Sequence, residues 1–422
     1  MNKNQNTNKD SAEFNSAEYY DPSIASFPSS LEGKILFYIA ITFSVFQVVT
    51  AAHLLDLPSQ ILRAVHVGFL GLLALPLVCA LKKKNKFLKI ISWAGGLLSF
   101  FVAIYQTVQY DALLIRTTDL MLIDVFFGVT AVILVFIAAW LVMGYALSLI
   151  AGIFLLYCFF GNYLTGMLQH RGYDFRQIVE HMSYGTEGIY GIPTYVSSTF
   201  VFLFILFGSF MERAGMIKLF NDVALGLFGH TRGGPAQVCV ASSALMGTIS
   251  GSGIANVVTS GQFTIPLMKK YGYSPAFAGG VEATSSMGGQ IMPPVMGAVA
   301  FIMAETLGVK YIEIVKAAII PAILYYIACW WMVYLEAGKK NLLGIPKEQL
   351  PSAYQAIKKN WYLTIPLIVL VYLLFSGFTP LYAGTIGLAF VVFLILGAPI
   401  AGKLTSYKRV LFWIILGLVS AS

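Results

Sequence analysis

From residue 34 onward the chain alternates long apolar runs with short polar loops, and this alternation constrains the fold more than any motif it carries. A helix needs roughly 20 residues to cross a hydrocarbon core of about 30 Å. Backbone groups in lipid must also find partners inside the membrane, which continuous apolar runs of this length achieve as helices. Eleven such runs occur, at about 34–54, 62–81, 90–108, 122–140, 142–164, 194–213, 276–305, 311–335, 361–377, 380–399 and 407–422. Only 11% of the 422 residues are charged and 58% are hydrophobic, against about 25% charged in an average soluble protein. The predicted class is an all-α polytopic membrane protein.

Charge sets the orientation. Lysines and arginines gather in short loops: Lys82, Lys83, Lys84, Lys86 and Lys89; Lys269 and Lys270; Lys339, Lys340, Lys347, Lys358 and Lys359; Lys403, Lys408 and Arg409. Placing all of these loops in the cytoplasm gives one consistent topology under the positive-inside rule, with the N-terminus cytoplasmic. The net charge of +8 is thus an orientation signal and not a nucleic-acid footprint. Residues 1–33 are polar, lack the order of a signal peptide, and read as a disordered cytoplasmic tail. Cys79, Cys158, Cys239 and Cys329 lie far apart in apolar stretches, as buried thiols do. The histidines His53, His66, His170, His181 and His230 show no metal-ligand spacing. No GxxxxGK[ST] occurs, so the chain holds no ATP-driven motor.

The topology makes one demand that ordinary spans do not meet. Arg213–Arg232 and Lys269–Lys270 both belong in the cytoplasm, yet apolar and small residues fill the interval between them. Two full crossings do not fit comfortably, so a re-entrant hairpin over about 235–268 is expected. Its tip is GTISGSGIANVVTSG, residues 247–261, with four glycines and five Ser/Thr. Before it, RAGMIKLFNDVALGLFGHTRGG places Met216, Ile217, Phe220, Val223, Ala224 and Leu227 at helical spacing, as in an amphipathic helix on the cytoplasmic surface.

A hairpin tip at membrane depth exposes carbonyls and N–H groups, tolerated where protein or a water-filled cavity surrounds them. Carbonyl and hydroxyl oxygens suit a hard cation such as Na⁺, and helix N-termini beside them attract anions. Thr248, Ser250, Ser252 and Asn256 supply such groups; close helix packing through small residues is the competing reading. A second cluster, VEATSSMGGQIMPPVMGAVAF at 281–301, carries Gly288-Gly289 and Pro293-Pro294. Adjacent prolines remove two donors, so span 276–305 is expected to break. Paired discontinuous segments are the sequence pointer to a transporter's ion and substrate site. Glu282 lies inside the same span, where a lone carboxylate costs at least ~2.5–3.5 kcal/mol. Cation binding, proton carriage, or a structural hydroxyl network with Thr284 and Ser285 are all open to it. Asp124, near the outer surface, is expected to start its helix. Few polar residues interrupt the helices of 34–140, whereas polar and Gly-rich clusters begin after 240, which suggests a scaffold followed by a working part.

Taken in order, the residues of 207–305 resemble the first half of the large membrane subunit of tripartite ATP-independent periplasmic (TRAP) transporters. FGNYLTGMLQHRGY before them and KAAIIPAILYYIACWWMVYLEAG after them extend the likeness over about 120–400. It is closest to fused small-plus-large permeases that partner TAXI-type binding proteins. The resemblance implies an elevator-type secondary transporter in a bacterial-type inner membrane, importing a small organic anion, a carboxylate, with Na⁺ as coupling ion and no organic cofactor. It also implies a soluble extracytoplasmic TAXI-type solute-binding protein and no ATPase. The family's first hairpin motif falls on Ser250, Gly251, Ser252, Gly253, Ile254, Ala255 and Asn256, with Gly253-Ile254 in place of the more usual Ala-Val. Its unwound segment falls on Gly288, Gly289, Gln290, Pro293 and Pro294. The implied Na⁺ ligands are Thr248, Ser250, Gly251, Ser252, Gly288 and Gly289. The implied substrate contacts are Ser252, Asn256, Glu282, Thr284, Gln290, Pro293 and Pro294. Residues 34–140 would be the small-subunit-like four-helix scaffold and 141–422 the first part of the transport subunit.

The family's second inverted repeat, with its own hairpin and broken helix, has no counterpart before Ser422. Only the first repeat is complete, and the expectation is a C-terminally truncated permease or a scaffold remnant that does not transport alone. No catalytic residues are assigned; an intramembrane enzyme using Glu282 and Ser285 is the alternative from another class. The longest external loop, 165–193, offers Arg171, Asp174, Arg176 and Glu180 to a docked binding protein.

Overall fold

The computed structural model describes residues 27, 30–81, 85–116 and 119–402. Most of the expected disordered tail, Lys82–Lys84, the cluster Lys403, Lys408 and Arg409, and the expected last span 407–422 lie outside the described residues. Their regular structure is helical, with nine helices or helix runs among the described residues long and apolar enough to cross a membrane: 31–51, 59–81, 86–108, 122–143, 145–163, 192–214, 311–339, 347–375 and 380–397. Each has a counterpart among the eleven expected runs. Run 276–305 is absent from this set because it is not one helix.

The chain divides into two compact units, 25–199 and, for the described residues, 200–402. The first holds α1 (Leu31–Ala51), α2 (Ser59–Leu81), α3 (Lys86–Val108), α4 (Tyr110–Ile115), α5 (Leu122–Met143), α6 (Tyr145–Phe160), α7 (Phe175–Ser183) and α8 (Ile192–Val196). Ser30 starts α1 by accepting the Gly33 N–H at 3.3 Å, so the helix begins slightly earlier than the tail boundary at 33. The unit extends past residue 140 because loop 165–193 folds back onto α5. Val179 and Tyr184 pack with Leu113 and Leu120. The Ser183 hydroxyl donates to the Gly128 carbonyl at 2.7 Å, and the Gln106 amide donates to the Ser183 carbonyl at 3.1 Å. Asp174 caps α7 by accepting the Arg176 N–H, and Arg176 meets Asp119 at 3.4 Å in solvent.

These helices bury more polar groups than the sequence suggests. His66 lies between the Gln47 amide at 2.8 Å and the Ser197 hydroxyl at 3.0 Å. Asp124 is fully enclosed; besides accepting the Met121 N–H at 2.8 Å to start α5, it bonds the Tyr105 hydroxyl and lies 3.6 Å from Arg116. Isolated polar residues in long apolar runs are easily read as surface positions, but here they find one another across helices.

The second unit contains α9 (Phe202–Ala214), α10 (Met216–Phe228), α11 (Gly234–Ser250), α12 (Gly253–Lys270), α13 (Pro275–Met287), α14 (Ala298–Leu307), α15 (Tyr311–Lys339), α16 (Ala353–Asn360), α17 (Ile365–Phe375) and α18 (Pro380–Gly402). Much of the apolar face of α10 is turned into the protein: Met216, Ile217, Phe220, Ala224 and Leu225 are buried, while Leu227 stays exposed. Ala224 and Leu225 join Val238, Phe263 and Leu267 of the following two helices in one core, and Asn221 accepts from the Ser242 hydroxyl. Helical spacing identifies a buried face without saying what buries it. A second core gathers Ala236, Cys239 and Val240 with Met268, Val281 and Val333. It binds α11, α12, α13 and α15 into one packed body.

Candidate functional site

Residues 234–270 form a helical hairpin whose arms, of 17 and 18 residues, are about 26 Å long at 1.5 Å per residue. The turn is made by Gly251, at φ +58°, and Ser252, whose Oγ accepts the Ala255 N–H at 3.3 Å as the N-cap of α12. The left-handed conformation at Gly251 explains why a glycine stands there. The space explains it too, since any Cβ would run into the Met296 carbonyl oxygen.

The tip rests on the interruption that follows α13. That helix stops at Met287, continues as a 3₁₀ turn over Gly288–Gln290, and gives way to irregular chain until α14 begins at Ala298. The Gly297 N–H donates to the Gln290 carbonyl at 2.7 Å, and the Tyr311 hydroxyl donates to Val295 O at 2.6 Å. A Cβ on Gly289 would lie 2.9 Å from the Gly247 Cα, so hairpin and interruption meet backbone to backbone. Carbonyls near the end of α13 also accept from α15: Tyr325 donates to Thr284 O at 2.7 Å and Tyr326 to Ser285 O at 3.2 Å.

The candidate ligands separate into three places. At the tip, Gly251 meets Met296 of the interruption, Ser250 beside it packs on Gly208 of α9, and the buried Ser250 Oγ has no hydrogen-bond partner among the described residues. Thr248 is nearby, but its hydroxyl donates to Leu245 O at 2.6 Å. Gly288, Gly289, Pro293 and Pro294 belong to the interruption itself, with Gln290 exposed on its rim. Asn256, one turn into α12, is buried and donates to Ser243 O at 2.8 Å. Thr284 lies elsewhere, exposed along a cleft of about 470 Å³ between α13 and α15, which is also lined by Ser285, Gly280, Phe277, Cys329 and Met332.

Glu282 occupies the third place, sealed inside α11, α12 and α13 at 0% exposure. Ser260 Oγ lies 2.5 Å and Ser286 Oγ 2.8 Å from Oε1, with Ser243 Oγ at 3.5 Å. Oε2 bonds the Thr264 hydroxyl and the Cys239 thiol at 3.0 Å. The network is real, but its members are not Thr284 and Ser285. Neither hydrogen-bonds the carboxylate: Thr284 is exposed, and the buried Ser285 side chain meets the Cys239 thiol instead. Sequence reasoning missed Cys239, Ser243, Ser260, Thr264 and Ser286. The signal was periodic: Cys239/Ser243, Asn256/Ser260/Thr264 and Glu282/Ser286 each recur at four-residue spacing, one polar stripe per helix.

Comparison with known proteins bears on this architecture. Residues 130–414 match the family model described as the tripartite ATP-independent periplasmic transporter, DctM component. The chain is 30% identical over 197 residues to the C4-dicarboxylate TRAP transporter large permease protein DctM of Pseudomonas aeruginosa, covering 46% of this chain and 45% of that one. It is 28% identical over 192 residues to the sialic acid TRAP transporter large permease protein SiaM of Vibrio cholerae, covering 45% and 44%. It is 25% identical over 194 residues to the 2,3-diketo-L-gulonate TRAP transporter large permease protein YiaN of Escherichia coli, again covering 45% and 44%. Each alignment therefore spans less than half the length of the relative it matches.

Proposed function

The chain belongs to the DctM family of TRAP transporter permeases, a family of transporters and not of enzymes, and from that premise we propose that it imports a small organic anion by Na⁺-coupled secondary transport. The solute is a carboxylate delivered by a soluble extracytoplasmic binding protein of the TAXI type; the names of the three relatives each specify an organic acid or its anion. The permease lies in an inner membrane with a cytoplasmic N-terminus. Residues 34–140 act as a fused small-subunit scaffold, and the charged loop 165–193 is a docking surface for the binding protein. In an elevator-type cycle the hairpin 234–270 enters and leaves the membrane from the cytoplasmic side, as its basic flanks Arg213–Arg232 and Lys269–Lys270 favour.

The observation that carries this reading is the unpartnered Ser250 Oγ beside the left-handed turn at Gly251. A buried hydroxyl without a partner is destabilising by about 1–3 kcal/mol. A ligand there, bound with the last-turn carbonyls of α11 and the backbone of Gly288–Gly289, would offset that. Thr248 and Ser252 extend the oxygen set for Na⁺. Ser252, Asn256, Gln290, Pro293, Pro294, Thr284 and Glu282 are the positions assigned to the solute side, with Glu282 acting on it only through Ser260 and Asn256.

Uptake by the permease in proteoliposomes, with its binding protein outside, tests the reading. An inward Na⁺ gradient should drive accumulation. Ser252→Ala and Asn256→Asp should each lower Na⁺-dependent uptake about tenfold, the equivalent of roughly 1.4 kcal/mol for one lost polar contact, while inserting as wild type does. Wild-type rates and Na⁺ affinity in both variants would reduce the hairpin to a packing element.

A further inference from the structure

Three hydroxyls of a single helix hold the interruption at both of its ends. At the far end Tyr311, the first residue of α15, donates to Val295 O at 2.6 Å and lies 3.0 Å from Pro294 O; its ring stacks on Phe301 of α14 at 4.2 Å between centroids. At the near end Tyr325 and Tyr326 donate to Thr284 O and Ser285 O. Successive residues on a helix point about 100° apart, so adjacent side chains ordinarily serve different neighbours. Here the two rings meet edge to face, 5.6 Å apart at 83°, and both hydroxyls reach α13.

The same rings occupy the space beside Gly288. A Cβ on that residue would lie 2.6 Å from Tyr325 Cε1 and 2.8 Å from Tyr326 Cζ, while the next residue, Gly289, abuts the Gly247 backbone of α11. The chain at 288–289 is thus confined by α15 at one glycine and by the hairpin at the other. Its carbonyls accept the Ile291 and Met292 N–H groups at 3.1 and 3.3 Å, and each carbonyl oxygen has a second lone pair to offer. We infer that Tyr325 and Tyr326 are positioning residues for the proposed Na⁺ site: they hold Gly288–Gly289 against the hairpin and so set how tightly the ion binds. This rests on the ion-site reading given above.

Backbone oxygens make a selective site only when their surroundings hold them to within about 0.5 Å. Residues 288–297 have no continuous helical ladder to do this, so the constraint comes from outside. α15 can supply it, being a helix of 29 residues in which Tyr326 packs against the core that buries Val333 and Ala337. The hydroxyls are not needed merely to satisfy the end of α13, because Thr284 O already accepts the Gly288 N–H. What the Tyr325 hydroxyl adds is a link between α15 and the turn that leads into Gly288. Ring and hydroxyl have separable parts in this: the ring blocks sideways movement of Gly288, and the hydroxyl fixes the carbonyl one turn earlier.

Melting of the purified permease in nanodiscs, with Na⁺ exchanged for choline at constant ionic strength, reads the site without requiring transport. Tyr325→Phe and Tyr326→Phe keep the rings and lose the hydroxyls. The Na⁺ concentration giving half of the full stabilisation should rise about threefold in each and about tenfold in the double variant. Tyr273→Phe is the control, since it removes a hydroxyl bonded to Gly233 O at 3.4 Å at the base of the same hairpin; it should melt lower in choline and keep the wild-type half-point. Loss of packing alone would lower melting in choline without moving that half-point. Half-points unchanged in both single Phe variants, or moved as far by Tyr273→Phe, would overturn the positioning role and leave the ion site standing. A wild type indifferent to Na⁺ would reject the ion site and the positioning role together.

Discussion

Gly251→Val should melt well below wild type and lose Na⁺-dependent uptake, whereas Gly279→Ala, some thirty residues on, should do neither. At Gly251 the backbone sits at φ +58°, which costs a side-chain-bearing residue about 1–2 kcal/mol and a β-branched one more. Its Cβ would also collide with the Met296 carbonyl, and forcing atoms into a packed contact adds roughly 1–3 kcal/mol. Hairpin and interruption would have to part, and they are the two halves of the proposed ion site. Gly279 is helical, and a Cβ there meets nothing within 4 Å. Alanine in a helix interior is favoured over glycine by about 1 kcal/mol, so that variant should be as stable as wild type or slightly more so. Differential scanning fluorimetry on both variants in nanodiscs gives the comparison. Equal melting temperatures would mean that the tip is not pressed against residues 288–297.

The second large effect is expected at Glu282. Glu282→Ala removes the acceptor for the Ser286 hydroxyl, for which no other partner appears among the described residues, and one of the partners of the Cys239 thiol. Ser260 and Thr264 keep carbonyl acceptors one turn back. Leaving buried donors unsatisfied costs about 1–3 kcal/mol, and the emptied volume at a fully buried position adds to it on the scale of other large-to-small core changes, about 2–5 kcal/mol. Unfolding should therefore shift by several kcal/mol, a large fraction of a typical total stability of about 5–15 kcal/mol. Glu282→Gln keeps an acceptor and the volume, and should lose much less. An alanine variant as stable as the glutamine variant would show that the hydroxyl shell does not depend on the carboxylate.

What the sequence disclosed, and what it hid, follows from the range of the forces involved. Spans are set by a one-dimensional quantity, apolar length against bilayer thickness, and the runs at 59–81 and 311–339 were legible for that reason. The interruption after Met287 was legible because Gly288-Gly289 and Pro293-Pro294 act on their own backbone. The partners of Glu282 were not, because Cys239, Ser243, Ser260 and Thr264 come from other helices, and nothing local says which stripe will face which. For the same reason the packing of Ala224 and Leu225 of α10 against α11 and α12 was not legible. Tyr325 and Tyr326 looked like ordinary aromatic residues of a span, yet they occupy carbonyls near the end of α13.

Na⁺ binding at the hairpin tip is the claim on which the rest depends, and Ser250→Ala tests it with effects of opposite sign. In choline, removing a buried hydroxyl that has no partner should raise the melting temperature slightly, by the equivalent of about 1 kcal/mol. In Na⁺, wild type should gain stability with rising concentration, as any ligand of the folded state confers, and the variant should gain much less. The account predicts that the two melting curves cross as Na⁺ is added. A Ser250→Ala permease stabilised by Na⁺ as strongly as wild type, or a wild type indifferent to Na⁺, would contradict it.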